Sequence, residues 1–297
     1  MFFVPFGAIL PQAPPFARQG RGLLLCFFQR KSKGGTSLSE HNAPAAAPKS
    51  KTTRPFVRRL ICLIACIVLL QSLDVLLEQA VQYETEDARY DEVTECYAQS
   101  AAFSVSTAPS GGNLHIDFAA LQGEYPDIAG WLAVDGTAIS YPVVKGEDNN
   151  YYLHRYLDGT ASAGGSIFLD CRCDFFDSYA IVYGHNMKDR SMFGSLREFK
   201  KAAFYPKTGG GLTLYTPEQS QRYVIFAVCV LAPDDAAFTP PTDTDTRAAL
   251  LSRLCAAALY DTGVSVSAQD TVLMLSTCTG KDGAQRLCVF AKETEEN

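Results

Sequence analysis

Cys278, His185 and Arg286 carry the side chains needed for covalent acyl chemistry, and each lies at one end of a segment that reads as a β-strand. The run TVLMLSTC, residues 271–278, is apolar and β-branched and stops on the cysteine. A strand end holds its backbone rigidly while letting a terminal side chain face a cleft. A thiol acts as a nucleophile only as thiolate, so it needs a nearby base or positive charge. The chain has four histidines, His41, His115, His154 and His185. Of these, His185 follows the strand-like YAIVYG (179–184), the same strand-to-corner arrangement as Cys278. Arg286 follows the short loop 279–285 and opens the next apolar run, so a hairpin would return it beside Cys278. A guanidinium there can hold a substrate or stabilise a developing oxyanion by charge-assisted hydrogen bonds. Taken singly, each residue also has a plain structural reading: a core thiol, a hydrogen-bonded strand-end imidazole, a strand-edge charge.

The elements that must position these residues are mostly strands. Segments 136–144, 165–170, 179–184, 212–216, 222–231, 271–278 and 286–292 are rich in β-branched and aromatic residues and are bounded by Gly, Pro, Asp or Asn. Helical character is expected in DFAALQGEYPDIAGWL (117–132), in short turns at EDNNYYLH and MFGSLREF, and most strongly in TDTRAALLSRLCAAAL (244–259), with Thr244 or Thr246 as cap. Seven strands with few helices predict a mainly β fold, a closed or nearly closed barrel that removes exposed edges.

Charge is unevenly distributed. Of 26 Lys/Arg and 32 Asp/Glu, ten bases but one acid, Glu40, precede Leu60. The stretch LICLIACIVLLQSLDVLL (60–77) has no base, and the remainder is strongly acidic. A basic head, an apolar bridge near the ~17–25 residues needed to span and an acidic body predict a membrane anchor with a cytoplasmic N-terminus, and argue against nucleic-acid binding. Residues 1–55 read as a disordered tail, 56–80 as the transmembrane signal anchor, 81–112 as a helical and linker segment. Seven of the ten cysteines fall in the outer body. The absence of any CxxC pair weakens a zinc reading, and Cys171-Arg-Cys173 has the spacing that puts two thiols on one strand face.

YGHNM followed by SMFGSL, then LSTC, then an arginine eight residues beyond the cysteine, in that order, resemble the sortases, most of all class B. The likeness extends through YPVVKGEDNNYYLHRYLDGTASAGGSIFLD and covers about residues 113–293. It implies an eight-stranded sortase-type β-barrel over 113–297 with extra N-terminal helices and a helix in the long connection before the cysteine strand. It assigns His185, Cys278 and Arg286 as catalytic and Ser276, Asn149, Leu153 and Tyr183 as substrate-binding. It implies peptide transfer: Cys278 attacks a Thr carbonyl in the C-terminal sorting signal of a secreted protein, and a peptidoglycan amine resolves the thioester. No step needs a metal or another cofactor. The family's polar and aromatic contacts in that connection do not align with LAPDDAAFTPPT (231–242). Competing expectations are a pilin-polymerising sortase, a papain-like cysteine hydrolase, whose cysteine opens a helix, and a non-catalytic surface barrel.

Overall fold

The computed structural model describes residues 53–100, 114–279 and 283–294. The expected tail, the linker-like 106–113 and the tip of the 279–285 loop lie outside these residues, in whole or in part. The chain divides into two units, residues 1–61 and 62–297. Among the described residues the first contributes the opening turns of helix α1 (Thr53–Tyr97).

α1 contains one stretch long and apolar enough to cross a membrane, Pro55–Glu78, none of it buried in the protein. Its 24 residues correspond to roughly 36 Å of helix, enough for a hydrocarbon core of about 30 Å. The helix runs on to Tyr97 through the segment read as helical and linker. Its last turns dock on the body. Arg89 lies 3.7 Å over the Tyr156 ring and pairs with Asp158 at 2.6 Å. Tyr90 is buried and donates to the Gly165 carbonyl at 3.0 Å. A small ribbon follows, β1 (Ala98–Ser100) antiparallel to β2 (Leu114–Ile116).

Eight further strands close a barrel: β3 (Ile128–Val134), β4 (Ser140–Lys145), β5 (Ile167–Leu169), β6 (Tyr179–Tyr183), β7 (Gly211–Tyr215), β8 (Ser220–Leu231), β9 (Val272–Thr279) and β10 (Gln285–Glu293). Their order around it is β10-β8-β7-β3-β4-β5-β6-β9. The eight-stranded closed barrel with N-terminal helices agrees with the expected fold class. Helix α2 (Phe118–Glu124) precedes β3, α3 (Tyr205–Thr208) precedes β7, and α4 (Thr244–Ala256) lies in the connection between β8 and β9. Trp131, Tyr156, Tyr223, Phe193, Phe199 and Phe290 are the largest side chains fully enclosed in the core.

Three local expectations are corrected. The helical reading of 117–132 breaks at Glu124, and Ile128–Val134 is the barrel strand β3. Pro126 is the cause: the residue before a proline is pushed out of the helical region, and Tyr125 stands at φ −124°, ψ 86°. The cap of α4 is Asp243, one residue before Thr244; its Oδ1 accepts from Thr246 N at 2.8 Å. Cys171 and Cys173 are not on a strand. Asp170 to Cys173 is a turn closed by Cys173 N donating to Asp170 O at 2.9 Å, with Cys173 buried and Cys171 partly exposed.

Two strand pairs of the barrel are parallel, β4–β5 and β6–β9. The second fixes the site. Parallel neighbours end at the same rim, so the residues after β6 and the last residues of β9 emerge together. β10 pairs antiparallel with β9, so its start meets the end of β9.

Candidate active site

The β6–β9 register pairs Tyr183 with Ser276, and Gly184 N donates to Ser276 O at 3.2 Å. Two residues beyond this pair on each strand stand His185 and Cys278. Asn186 extends the connection past the end of the ladder: its Nδ2 donates to the Cys278 carbonyl at 2.7 Å. Gly184 is required by close approach, since a Cβ there would sit 2.4 Å from Ile167 Cδ1 and 2.7 Å from Phe193 Cγ. On the other side, Arg286 is the direct cross-strand partner of Cys278, which places their Cβ atoms on the order of 5 Å apart. The three residues singled out in the sequence are thus brought to one barrel rim, and all three side chains are partly exposed.

Each is held by its surroundings. His185 Nε2 lies 2.7 Å from the Leu153 carbonyl. A carbonyl only accepts, so Nε2 carries a hydrogen and the ring orientation is set. The loop after His185 is clamped by Arg197, which donates to the carbonyls of Met187 and Gly194, each at 2.7 Å. The His154 ring lies 5.9 Å from that of His185. Arg286 Nη1 donates to Gly283 O at 2.8 Å and to Gln285 O at 3.2 Å. No hydrogen bond from its Nε–Nη2 edge is made to the described residues. Behind Cys278, Lys200 Nζ donates to Thr279 Oγ1.

The four residues assigned to substrate binding have distinct environments. Tyr183 is partly buried; its Oη donates to Asp170 Oδ2 at 3.0 Å, and its ring packs against Phe168 (5.2 Å) and Phe238 (6.5 Å, 13° between planes). Leu153 supplies the carbonyl to His185 and packs against the core. Asn149 Oδ1 accepts from Cys171 N at 2.8 Å, tying its loop to the turn after β5. The turn cap in this loop is Asp148, which accepts from Asn150 N and Tyr151 N. Ser276 is 1% exposed and faces Cys288 across the strands, on the same β9 face as Cys278 but below the rim.

Sequence reasoning missed Asp170, Arg172, Asn186 and Phe238. The one available signal was Asp-x-Arg at the end of a buried strand, an acid where the core pattern calls for an apolar side chain. Asp170 is fully covered. Burial opposes its ionisation, but hydrogen bonds from Arg172 and then the charge of that guanidinium outweigh it, holding the carboxyl below its usual range.

All nine described cysteines are free thiols. Burial pushes Cys173 up to about 11 and Cys229 up to about 12, and raises Cys288 further. A raised pKa leaves the unreactive thiol in place at neutral pH. At pH 7.5 a methanethiosulfonate reagent is therefore expected to label Cys278 ahead of Cys173, Cys229 and Cys288, as read by peptide mass mapping. Equal labelling of all four would remove the case for a distinct Cys278.

Residues 132–294 match the family description "Sortase domain". The chain is 35% identical over 204 residues to Sortase B of Listeria monocytogenes, covering 65% of this chain and 78% of the relative. It is 28% identical over 179 residues to Sortase B of Staphylococcus aureus, covering 59% and 73%. Among solved structures, sortase B from Bacillus anthracis superposes with a TM-score of 0.62 at 29% identity over 73% of this chain and 99% of that one. Family match, relatives and barrel agree: the chain belongs to the sortases, class B, cysteine transpeptidases of cell-wall anchoring.

Proposed function

We propose that this protein is a single-pass membrane enzyme, anchored through Pro55–Glu78 with its N-terminus in the cytoplasm, whose barrel acts on the outer side. It cleaves the C-terminal sorting signal of secreted proteins after Thr and joins them to a peptidoglycan amine. The observation that carries this reading is the convergence of His185, Cys278 and Arg286 at one rim through a parallel and an antiparallel strand pairing.

In the first half-reaction the Cys278 thiolate adds to the Thr carbonyl carbon. The resulting oxyanion is met by the Nε–Nη2 edge of Arg286, the edge that the hairpin's own carbonyls do not take. The C–N bond then breaks, the C–S bond of the thioester remains, and His185 gives a proton to the leaving amine. With Nε2–H held by Leu153 O, the proton that comes and goes is on Nδ1. In the second half-reaction the peptidoglycan amine attacks the thioester, His185 takes its proton, and Cys278 leaves as thiolate. Two half-reactions on one nucleophile are the mark of covalent catalysis.

The test uses the full chain in detergent, a pool of fluorogenic peptides with Thr fixed before the scissile bond, and an added amine-bearing peptidoglycan fragment. Mass spectrometry should show a peptide–amine product that replaces the hydrolysis product as amine concentration rises. Cleavage with no amine-dependent product would favour a cysteine hydrolase; transfer only to a protein lysine would favour a polymerising role.

A further inference from the structure

A fully buried carboxylate demands partners, because an unpaired charge away from water is strongly unfavourable. Asp170 has them. Its Oδ1 accepts from Arg172 N at 3.0 Å and Arg172 Nε at 2.9 Å, and its Oδ2 accepts from Arg172 Nη2 at 2.7 Å and Tyr183 Oη at 3.0 Å. The two-pronged pairing fixes the plane of the guanidinium. From that plane, Nη2 also donates to the Phe238 carbonyl at 2.8 Å, 66 residues along the chain.

Phe238 ends the 3-10 turn Ala236–Phe238 in the β8–β9 connection. This turn lies over the β9 face that carries Cys278. Tyr179 Oη donates to Ala237 O at 2.8 Å while lying 3.3 Å from Met274 Sδ, four residues before the nucleophile on the same face. The Phe238 ring stacks on Tyr183, whose strand partner Ser276 is two residues, roughly 7 Å, from Cys278. On its far side the turn is tied to α4, since Asp235 accepts from Arg253 at 2.7 and 3.0 Å. The connection is therefore pinned to the barrel at two successive carbonyls, Ala237 by a tyrosine and Phe238 by Arg172.

We propose that Arg172 is a positioning residue for peptide recognition: anchored on Asp170, it fastens the Ala236–Phe238 turn over Tyr183 and so fixes one wall of the cleft that takes the sorting peptide beside Cys278. The proposal rests on the transpeptidase reading above. It acts on how the peptide is held and leaves the reacting groups as they are. His185 and Arg286 are placed by the end of β6, the Leu153 carbonyl and the β9–β10 hairpin, and among the described residues Arg172 makes no hydrogen bond to any of these.

The test compares the full chain in detergent with Arg172→Lys and with Asp170→Asn/Arg172→Met. Lysine keeps a charge for Asp170 but lacks the planar fork that reaches two acceptors. The double variant removes the buried charge, so it decides the matter if Arg172→Lys shows no thermal transition. Three quantities are read: kcat and KM on the peptide pool, the rate of methanethiosulfonate labelling of Cys278, and amide hydrogen exchange over 232–260. In a folded variant KM should rise about tenfold or more with kcat within about threefold, labelling should be unchanged, and exchange over 232–260 should accelerate. Unchanged KM and exchange would overturn the proposal. So would a fall in kcat with slowed labelling at unchanged KM, which would place Arg172 with the reacting groups. A wild-type chain that cleaves no peptide would refute the transpeptidase reading, while the exchange measurement would still report whether Arg172 holds the turn.

Discussion

Cys278→Ala is expected to abolish peptide cleavage and transfer, with a loss on the order of 10⁶-fold in kcat, the scale seen when a covalent nucleophile is removed from an enzyme whose residues act as a unit. The wild-type chain incubated with the Thr-containing peptide pool and no amine should gain the mass of the acyl group on the peptide that contains Cys278; the variant should gain nothing. The fold should be kept. Cys278 is partly exposed at the rim, and its strand pairing to Arg286 and its carbonyl contact with Asn186 are backbone features that alanine retains. Its melting temperature should therefore fall by no more than about 2–4 °C, the shift that about 1 kcal/mol produces in a domain of this size. Cleavage within tenfold of wild type would end the covalent mechanism for this protein.

Arg286→Ala is the second large effect. Removing a single donor from a developing oxyanion typically costs 10²–10³ in kcat, and the guanidinium adds a full charge, so a loss of about 10³-fold or more is expected, carried by kcat. Arg286→Lys should recover little. Lysine restores the charge but not the fork, and the two sides of the fork do different things here. Nη1 bonds to the carbonyls of Gly283 and Gln285, which holds the group in place. A lysine anchored there has no second edge to offer. Single-turnover measurement of acyl-enzyme formation checks this. Both variants should accumulate it slowly, and a variant that acylates at the wild-type rate but fails to transfer would move Arg286 to the second half-reaction.

Much of the barrel was legible because its strands read as short apolar runs of β-branched, aromatic and other buried side chains; β8, β9 and β10 are the clearest examples. β3 was not, because it follows a helix whose apolar spacing continues in register across Pro126. That proline is the stop signal, and it outweighs the spacing. Cys278, His185 and Arg286 were legible by type and by strand-end position, although the parallel β6–β9 pairing that joins two of them across 93 residues of sequence is a tertiary fact with no local trace. The same holds for Asp170, Arg172 and Phe238. Asn186 stands immediately after His185, yet its bond to the Cys278 carbonyl exists only once the two strand ends have met. The acceptance by Asn149 from the Cys171 amide and the Leu153 carbonyl given to His185 are likewise contacts between distant segments, with no local trace in the sequence.

On the proposed function, setting Cys278 and Arg286 opposite each other in one hairpin separates the part of the enzyme that reacts from the connection proposed to choose the peptide. The β8–β9 connection leaves the barrel at Leu231, the residue facing Arg286 on its other side, and returns at Val272, so its length and composition can change between two fixed stakes. If Arg172 holds the peptide wall as proposed, transplanting another connection between those points, with its own counterpart to the Phe238 carbonyl for Arg172 to grip, is expected to change peptide preference while leaving the reaction centre unaltered.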